Sequence, residues 1–231
     1  MIDLTNVRFR WFVSDTPVID IARFRVDDGE RVFLEGPSGS GKTTLLNLLG
    51  GVTVPEQGQI IIDETDLTGL KRAARDAFRA DRIGFIFQMF NLLPYLSLLD
   101  NVMLPCRFSA RRAEAAQQKS GSVEAEARRL LEQMEIDLDT LAARSVSALS
   151  TGQQQRVAVA RSLIGAPRLV IADEPTSALD QKVRDAFMNL LFREVSEAGA
   201  TLLFVSHDST LASHFDRRAS MADINGGESS R

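Results

Sequence analysis

Nine residues, Gly36-Pro37-Ser38-Gly39-Ser40-Gly41-Lys42-Thr43-Thr44, follow the apolar run Val32-Phe33-Leu34 and precede Leu45-Leu46-Asn47-Leu48-Leu49. A strand therefore gives way to a helix across a loop built from glycine, hydroxyl groups and one cation. The stretch fits G-x-x-x-x-G-K-[ST] without a mismatch and in the required order of strand, loop and helix. Glycines let such a loop wrap closely, so that successive backbone N–H groups face phosphate oxygens. The unpaired amides and the dipole at the start of a helix over Thr43–Leu49 add to the attraction for an anion. Lys42 then reaches the β and γ phosphates of a nucleoside triphosphate, and the Thr43 hydroxyl can ligate Mg²⁺.

A triphosphate held this way needs a metal clamp and a group that activates water. Arg168-Leu169-Val170-Ile171-Ala172-Asp173-Glu174 offers both, as an apolar strand ending in two carboxylates. Neighbours on an extended chain point to opposite sides, so the two acids can do different work. Asp173 is expected in the Mg²⁺ shell and Glu174 as the general base. In Leu149-Ser150-Thr151-Gly152-Gln153, Ser150 stands just before a helix and Gly152 permits close approach. By residue type alone this is either an ordinary N-cap or a second anion contact.

Apolar runs bounded by turn residues recur at Val32–Leu34, Ile60–Ile62, Ile83–Phe87, Leu169–Ala172 and Leu202–Val205, with helical patterns between several of them. The expected class is α/β, a P-loop NTPase core with a mostly parallel sheet flanked by helices. Ile2–Leu4, Val7–Phe9 and Val18–Ile21 are short, alternating and separated by turn chemistry, which predicts an N-terminal antiparallel β layer. Val123, Ala127, Leu130, Leu131 and Met134 recur at helical spacing, so an inserted α-helical lobe is expected over about 90–148 within a single domain spanning 1–231. The helix Gln153–Ile164 stops at Gly165-Ala166-Pro167, and 225–231 reads as a loose tail.

At 231 residues and 44% apolar the chain can bury a sizeable core. Its net charge of -4 argues against a general affinity for nucleic acid, and none is expected as a partner. Cys106, the one cysteine, can form no internal disulfide. No apolar run approaches the roughly 20 residues that cross a bilayer, so work at a membrane requires a partner that holds the chain there.

GPSGSGKTT, LSTGQQQR, LVIADEPTSALD and VSH, in that order, resemble the nucleotide-binding subunits of ATP-binding-cassette (ABC) transporters, from Leu4 to about Asp216. The resemblance implies ATP and Mg²⁺ as ligands and a head-to-tail dimer with a second copy. Each ATP then lies between the 36–44 loop of one copy and Ser150, Gly152 and Gln153 of the other. It also implies that Gln88 senses metal and water, that Asp180 belongs to the loop Ser177-Ala178-Leu179-Asp180, that His207 meets the γ-phosphate, and that Trp11 stacks on adenine. Thr151 departs from the family's usual glycine. So does RASMADINGG after Arg217, which replaces the usual last strand and glycine turn.

Ile83 to Pro94 and Asp100 to Pro105 are similar to the lipoprotein-release, macrolide-export and cell-division branch. That likeness implies ATP hydrolysis coupled to an integral membrane permease or mechanotransmission partner, at the cytoplasmic face of the inner membrane. Phe90, Leu92, Leu93, Tyr95 and Leu96 are apolar residues that can seat a helix of such a partner, or form the core of the lobe. Two other readings remain: an ATP-switched module that controls a cell-wall enzyme through a membrane subunit, and a soluble DNA-maintenance ATPase. The second usually carries a long coiled coil or zinc-binding cysteines, which this sequence lacks. No residue pattern names a cargo.

Overall fold

A computed structural model describes residues 1–12, 16–141, 145–177, 179 and 181–226. In chain order these form β1 (Ile2–Phe9), β2 (Ile19–Val26), β3 (Arg31–Glu35), α1 (Lys42–Leu49), β4 (Gln57–Ile62), β5 (Thr65–Asp66), α2 (Arg72–Arg82) and β6 (Ile83–Ile86). There follow α3 (Leu98–Phe108), α4 (Ala110–Ser120), α5 (Val123–Gln133), α6 (Leu138–Leu141), α7 (Thr151–Leu163), β7 (Leu169–Asp173), α8 (Gln181–Glu197), β8 (Thr201–Ser206), β9 (Arg217–Ser220) and α9 (Met221–Ile224). Two compact units emerge, one of Met1–Arg79 with Thr201–Arg231 and one of Ala80–Ala200.

In the first unit, β2, β1, β4 and β5 lie in that order as an antiparallel sheet. The two short runs expected at the N-terminus are a single strand, β1, whose buried set slips from Ile2 and Leu4 to Val7 and Phe9. The slip has a local cause. The pairing of β1 with β4 shifts register between Thr5 and Arg8, and Asn6 there takes a left-handed φ of 51°. An extra residue in a ladder moves every later side chain to the other face. Gly58, on the facing strand, admits the bulge, because a Cβ there would lie 2.2 Å from the Asn6 carbonyl oxygen.

Strand β3 pairs in parallel with β8, from Arg31 opposite Leu202 to Glu35 opposite Ser206, and with β9, from Val32 opposite Arg217 to Glu35 opposite Ser220. Val32, Phe33 and Leu34 are all fully buried, as expected of a parallel strand covered on both faces. The Phe33 and Phe204 rings stack at 6.2 Å. Strand β9 corrects the expectation of an irregular end. Its charged residues suit the end of the strand order, where Arg217 meets Glu30 at 2.6 Å and Arg218 meets Glu35 at 2.7 Å. Asn225 is also held, its side chain accepting from the Asp20 N–H at 2.7 Å and donating to the Val18 carbonyl at 2.9 Å. Residues 227–231 of the expected tail lie outside the described residues.

In the second unit β6 pairs in parallel with β7, from Ile83 opposite Leu169 to Ile86 opposite Ala172. Leu169 to Ala172 are completely buried. Helix α7 runs against β6, and Gly84 permits the approach, since a Cβ there would lie 2.3 Å from the Ser162 carbonyl oxygen. The helix expected over 123–135 is α5, which buries Ala127, Leu130 and Leu131 and packs on α3, α4 and α7.

Candidate nucleotide-binding site

Because β3 and β8 are parallel and in register, Glu35 lies beside Ser206. The Gly36 loop and His207 therefore leave the sheet at the same edge, where open α/β sheets bind ligands. Within the loop, Gly39 and Gly41 take φ of 82° and 96°, values that L side chains resist. A Cβ on Gly41 would also stand 3.0 Å from both Ile19 Cδ1 and the Val18 carbonyl oxygen. These glycines curl the chain around its own cation, and the Lys42 ammonium donates to the carbonyls of Gly36 at 2.5 Å and Pro37 at 3.0 Å. Helix α1 starts behind Gly41 with no side-chain cap on its first turn. The glycine loop thus brings a lysine and the uncapped, positive end of a helix dipole together within a few residues, an arrangement suited to an anion. Thr43 is exposed and Thr44 buried at this helix start.

An open cleft of about 410 Å³ lies beside this loop, lined among others by Val18, Pro37, Gly39 and Ser40. Elsewhere in the unit, Trp11 is 43% exposed and meets Phe9 edge to face at 4.9 Å. The far end of α1 is also served, as Arg75 and Arg79 of α2 donate to the Gly51 and Gly50 carbonyls, each at 3.1 Å. Cations there complement the negative end of the dipole whose positive end faces the loop.

The second unit gathers the acids. With Ile86 opposite Ala172, the chains leaving β6 and β7 carry Gln88 and the pair Asp173-Glu174 from the same edge. Asp173 is the last residue of β7, as expected. Glu174, however, has a φ of 46° and is nearly buried, so its side chain is not set by strand alternation. A left-handed turn at Glu174 separates the two carboxylates in place of the extended backbone expected, although Pro175 after it favours extended backbone at that position. Gln88 is exposed, two residues beyond the end of β6.

Ser150 caps α7 reciprocally: its hydroxyl accepts from the Gln153 N–H at 3.3 Å while Gln153 Oε1 accepts from the Ser150 N–H at 2.9 Å. The N-cap reading thus holds. A cleft of about 490 Å³ opens there, lined by Ser150, Thr151, Gly152, Gln153, Arg156, Leu179 and Val183, so an anion contact is compatible with the cap. Asp180 lies outside the described residues. Sequence reasoning missed two buried residues of α7, Gln155 and Arg161, whose partners are main-chain carbonyls far along the chain. Gln155 is one of three consecutive glutamines and Arg161 follows the apolar run Val157 to Ala160, so residue type alone does not mark their partners.

A glycine loop closed on a lysine between a parallel strand and an uncapped helix, with a second parallel strand ending in carboxylates, defines a P-loop nucleoside triphosphatase. Residues 19–177 match the family model described as ABC transporter. The chain belongs to the ABC transporter family, as its ATP-binding ATPase domain. It is 41% identical to the lipoprotein-releasing system ATP-binding protein LolD of Syntrophotalea carbinolica, over 96% of this chain and 95% of that protein. It is 37% identical to the uncharacterized ABC transporter ATP-binding protein MJ0796 of Methanocaldococcus jannaschii, over 94% of this chain and 91% of that one. Among solved structures, the dimeric post-hydrolysis state of the MJ0796 cassette bound to ADP and Pi is similar with a TM-score of 0.84 and 35% identity, covering 100% of this chain and 97% of that one. The α/β class with an antiparallel layer is the class of these cassettes.

Proposed function

We propose that this chain hydrolyses ATP to drive an integral membrane partner of the lipoprotein-release or export type, working as a head-to-tail dimer on the cytoplasmic face of the inner membrane. One observation carries the reading: the loop of Gly36 to Thr44 turns its lysine and the uncapped start of α1 to one side, a shape that suits the phosphate chain of a nucleotide. Lys42 neutralises the β and γ phosphates, Gly36, Pro37, Ser38, Gly39, Ser40, Gly41 and Thr44 wrap them, and Trp11 stacks on the adenine. Ser150, Gly152 and Gln153 of the second copy close over the γ-phosphate, with Asp180 beside them. The relatives support the branch and the dimer: LolD is named for lipoprotein release, and the MJ0796 cassette was solved as a dimer.

Thr43, Gln88 and Asp173 offer a hydroxyl, a carboxamide and a carboxylate, an all-oxygen set that fits Mg²⁺. When bound, the ion neutralises charge on the phosphates. Glu174 takes the proton of the attacking water, and its turn out of the strand gives the carboxylate a direction separate from that of Asp173. His207 steadies the γ-phosphate. Helices in the 90–148 stretch form the lobe that meets the membrane partner, where Tyr95 and, just before the stretch, Met89 are strongly exposed apolar side chains and Leu92, Leu93 and Leu96 are half-buried. Among the described residues no helix is long and apolar enough to cross a membrane, so docking supplies the attachment.

Purification from detergent-solubilised membranes, followed by ATPase assays with and without the retained partner, tests the reading. Co-purification of a membrane protein that raises turnover is expected. Recovery of the chain with no membrane partner, or a partner that leaves turnover unchanged, contradicts it.

A further inference from the structure

We propose that α7 acts as a strut that positions two catalytic loops at once, with Gln155 and Arg161 as its two positioning residues. This deepens the proposed function, on which it rests for the roles of Glu174 and Gln88.

Gln155 is completely buried, and its amide nitrogen donates to the carbonyl of Pro175, the residue directly after Glu174. Its other end, Oε1, is buried without a hydrogen-bond partner among the described residues. An unsatisfied buried acceptor is destabilising, so a leucine would suit the core at least as well. Folding alone does not explain the glutamine; its grip on the Glu174 turn does.

Arg161 sits six residues further along the same helix, about 9 Å along its axis. It is 8% exposed, and burial holds its guanidinium below the usual arginine range. Among the described residues no carboxylate pairs with it. It is satisfied instead by two main-chain carbonyls, donating to Asn91 at 2.7 Å and to Phe90 at 2.5 Å. Those two residues take consecutive left-handed conformations, with φ of 58° and 50°, in the loop that carries Gln88. Strained backbone of this kind persists where the surroundings over-determine it, and here the determinant is a buried cation that the fold desolvates for no other visible return.

Helix α7 therefore joins three pieces of one unit: the Ser150 cap at its start, the Glu174 turn through Gln155 and the Gln88 loop through Arg161. Contact of the cap with a nucleotide on the second copy is felt at both loops, because a packed helix moves as a body. The consequence is kinetic: loss of either grip leaves ATP bound and misplaces the groups that act on it.

Two variants of the full chain test this, Gln155→Leu and Arg161→Lys. The first exchanges one unsatisfied group for another, so folding is expected to hold; the second keeps the charge but loses the two-pronged fork. Expected for both are a melting temperature near that of the wild type, a fluorescent-ATP Kd within about twofold, and kcat lower by about tenfold. Hydrogen–deuterium exchange over residues 87–96 is expected to quicken in Arg161→Lys. Unchanged kcat in both folded variants overturns the proposal, and so does a joint fall of kcat, ATP affinity and melting temperature. If the wild type itself turns over no ATP, the proposed function fails, while the exchange over 87–96 still decides whether Arg161 holds that loop.

Discussion

Two glycines in one loop resist the same substitution for different reasons and to different degrees. Gly39 has a φ of 82° and open space around its Cα, whereas Gly36 has an ordinary φ and no room. An alanine at Gly39 incurs the left-handed penalty of about 1–2 kcal/mol, offset by about 0.4–1 kcal/mol from a less flexible unfolded chain. The net is about 1 kcal/mol, or roughly 2–4 °C for a protein of this size. An alanine at Gly36 would place its Cβ 2.6 Å from Ser40 Oγ and 2.9 Å from Met221 Cβ. The hydroxyl can rotate away; the Met221 Cβ is fixed to the main chain of α9. Overpacking of this kind costs about 1–3 kcal/mol, so roughly 2–12 °C is lost, with the loop pushed off the shape that Lys42 closes. Thermal unfolding without nucleotide is expected to rank wild type above Gly39→Ala and Gly39→Ala above Gly36→Ala, and an ATP titration is expected to show the weakest binding in Gly36→Ala. A Gly36→Ala protein that melts and binds like the wild type refutes the packing argument.

Two further perturbations probe the second unit. Arg112, buried and with its pKa lowered to about 10 by desolvation, donates to the Ile164 carbonyl at 2.8 Å and the Ser162 carbonyl at 2.5 Å. Arg112→Met strands both acceptors, so chemical denaturation should show a loss of about 2–6 kcal/mol. Burial pushes Glu194 above the usual carboxylate range despite Arg193 at 3.2 Å, while Glu126, paired with Arg129 at 2.6 Å, lies below that range. A raised folded-state value means that Glu194 is best tolerated below its unfolded value of 4.5 and is destabilising once pH climbs through its folded value. Glu194→Gln is therefore expected to melt higher than the wild type at pH 8, with the gap closing toward pH 4; a gap that widens on acidification contradicts the sign.

What the sequence disclosed and what it hid divide along physical lines. The loop at Gly36 was legible because its chemistry is local, with glycine, lysine and threonine all acting within nine residues. Strand β7 was legible because a parallel strand covered on both faces must be uniformly apolar. Strand β9 was not, since Arg217 and Arg218 mask its pattern, and only the acids facing them, Glu30 and Glu35, show why charge is tolerated there. The bulge at Asn6 was hidden because a shift in the phase of alternation within one strand looks the same in sequence as a break between two. Gln155 and Arg161 were invisible for a different reason: each binds a backbone carbonyl, and any residue carries one, so no partner side chain marks the pairing.

The central claim is that the glycine loop holds ATP and that the carboxylate at the turn after β7 activates water. A single variant, Glu174→Gln, addresses both halves, because it removes the base and leaves the loop intact. Measured with MgATP, it is expected to bind nucleotide as tightly as the wild type, to show turnover lower by two orders of magnitude or more (roughly the 10²–10⁴-fold of general-base catalysis) and to accumulate as a dimer on size-exclusion chromatography. Hydrolysis at the wild-type rate in that variant contradicts the assignment of the base, and failure of both proteins to take up ATP contradicts the account as a whole.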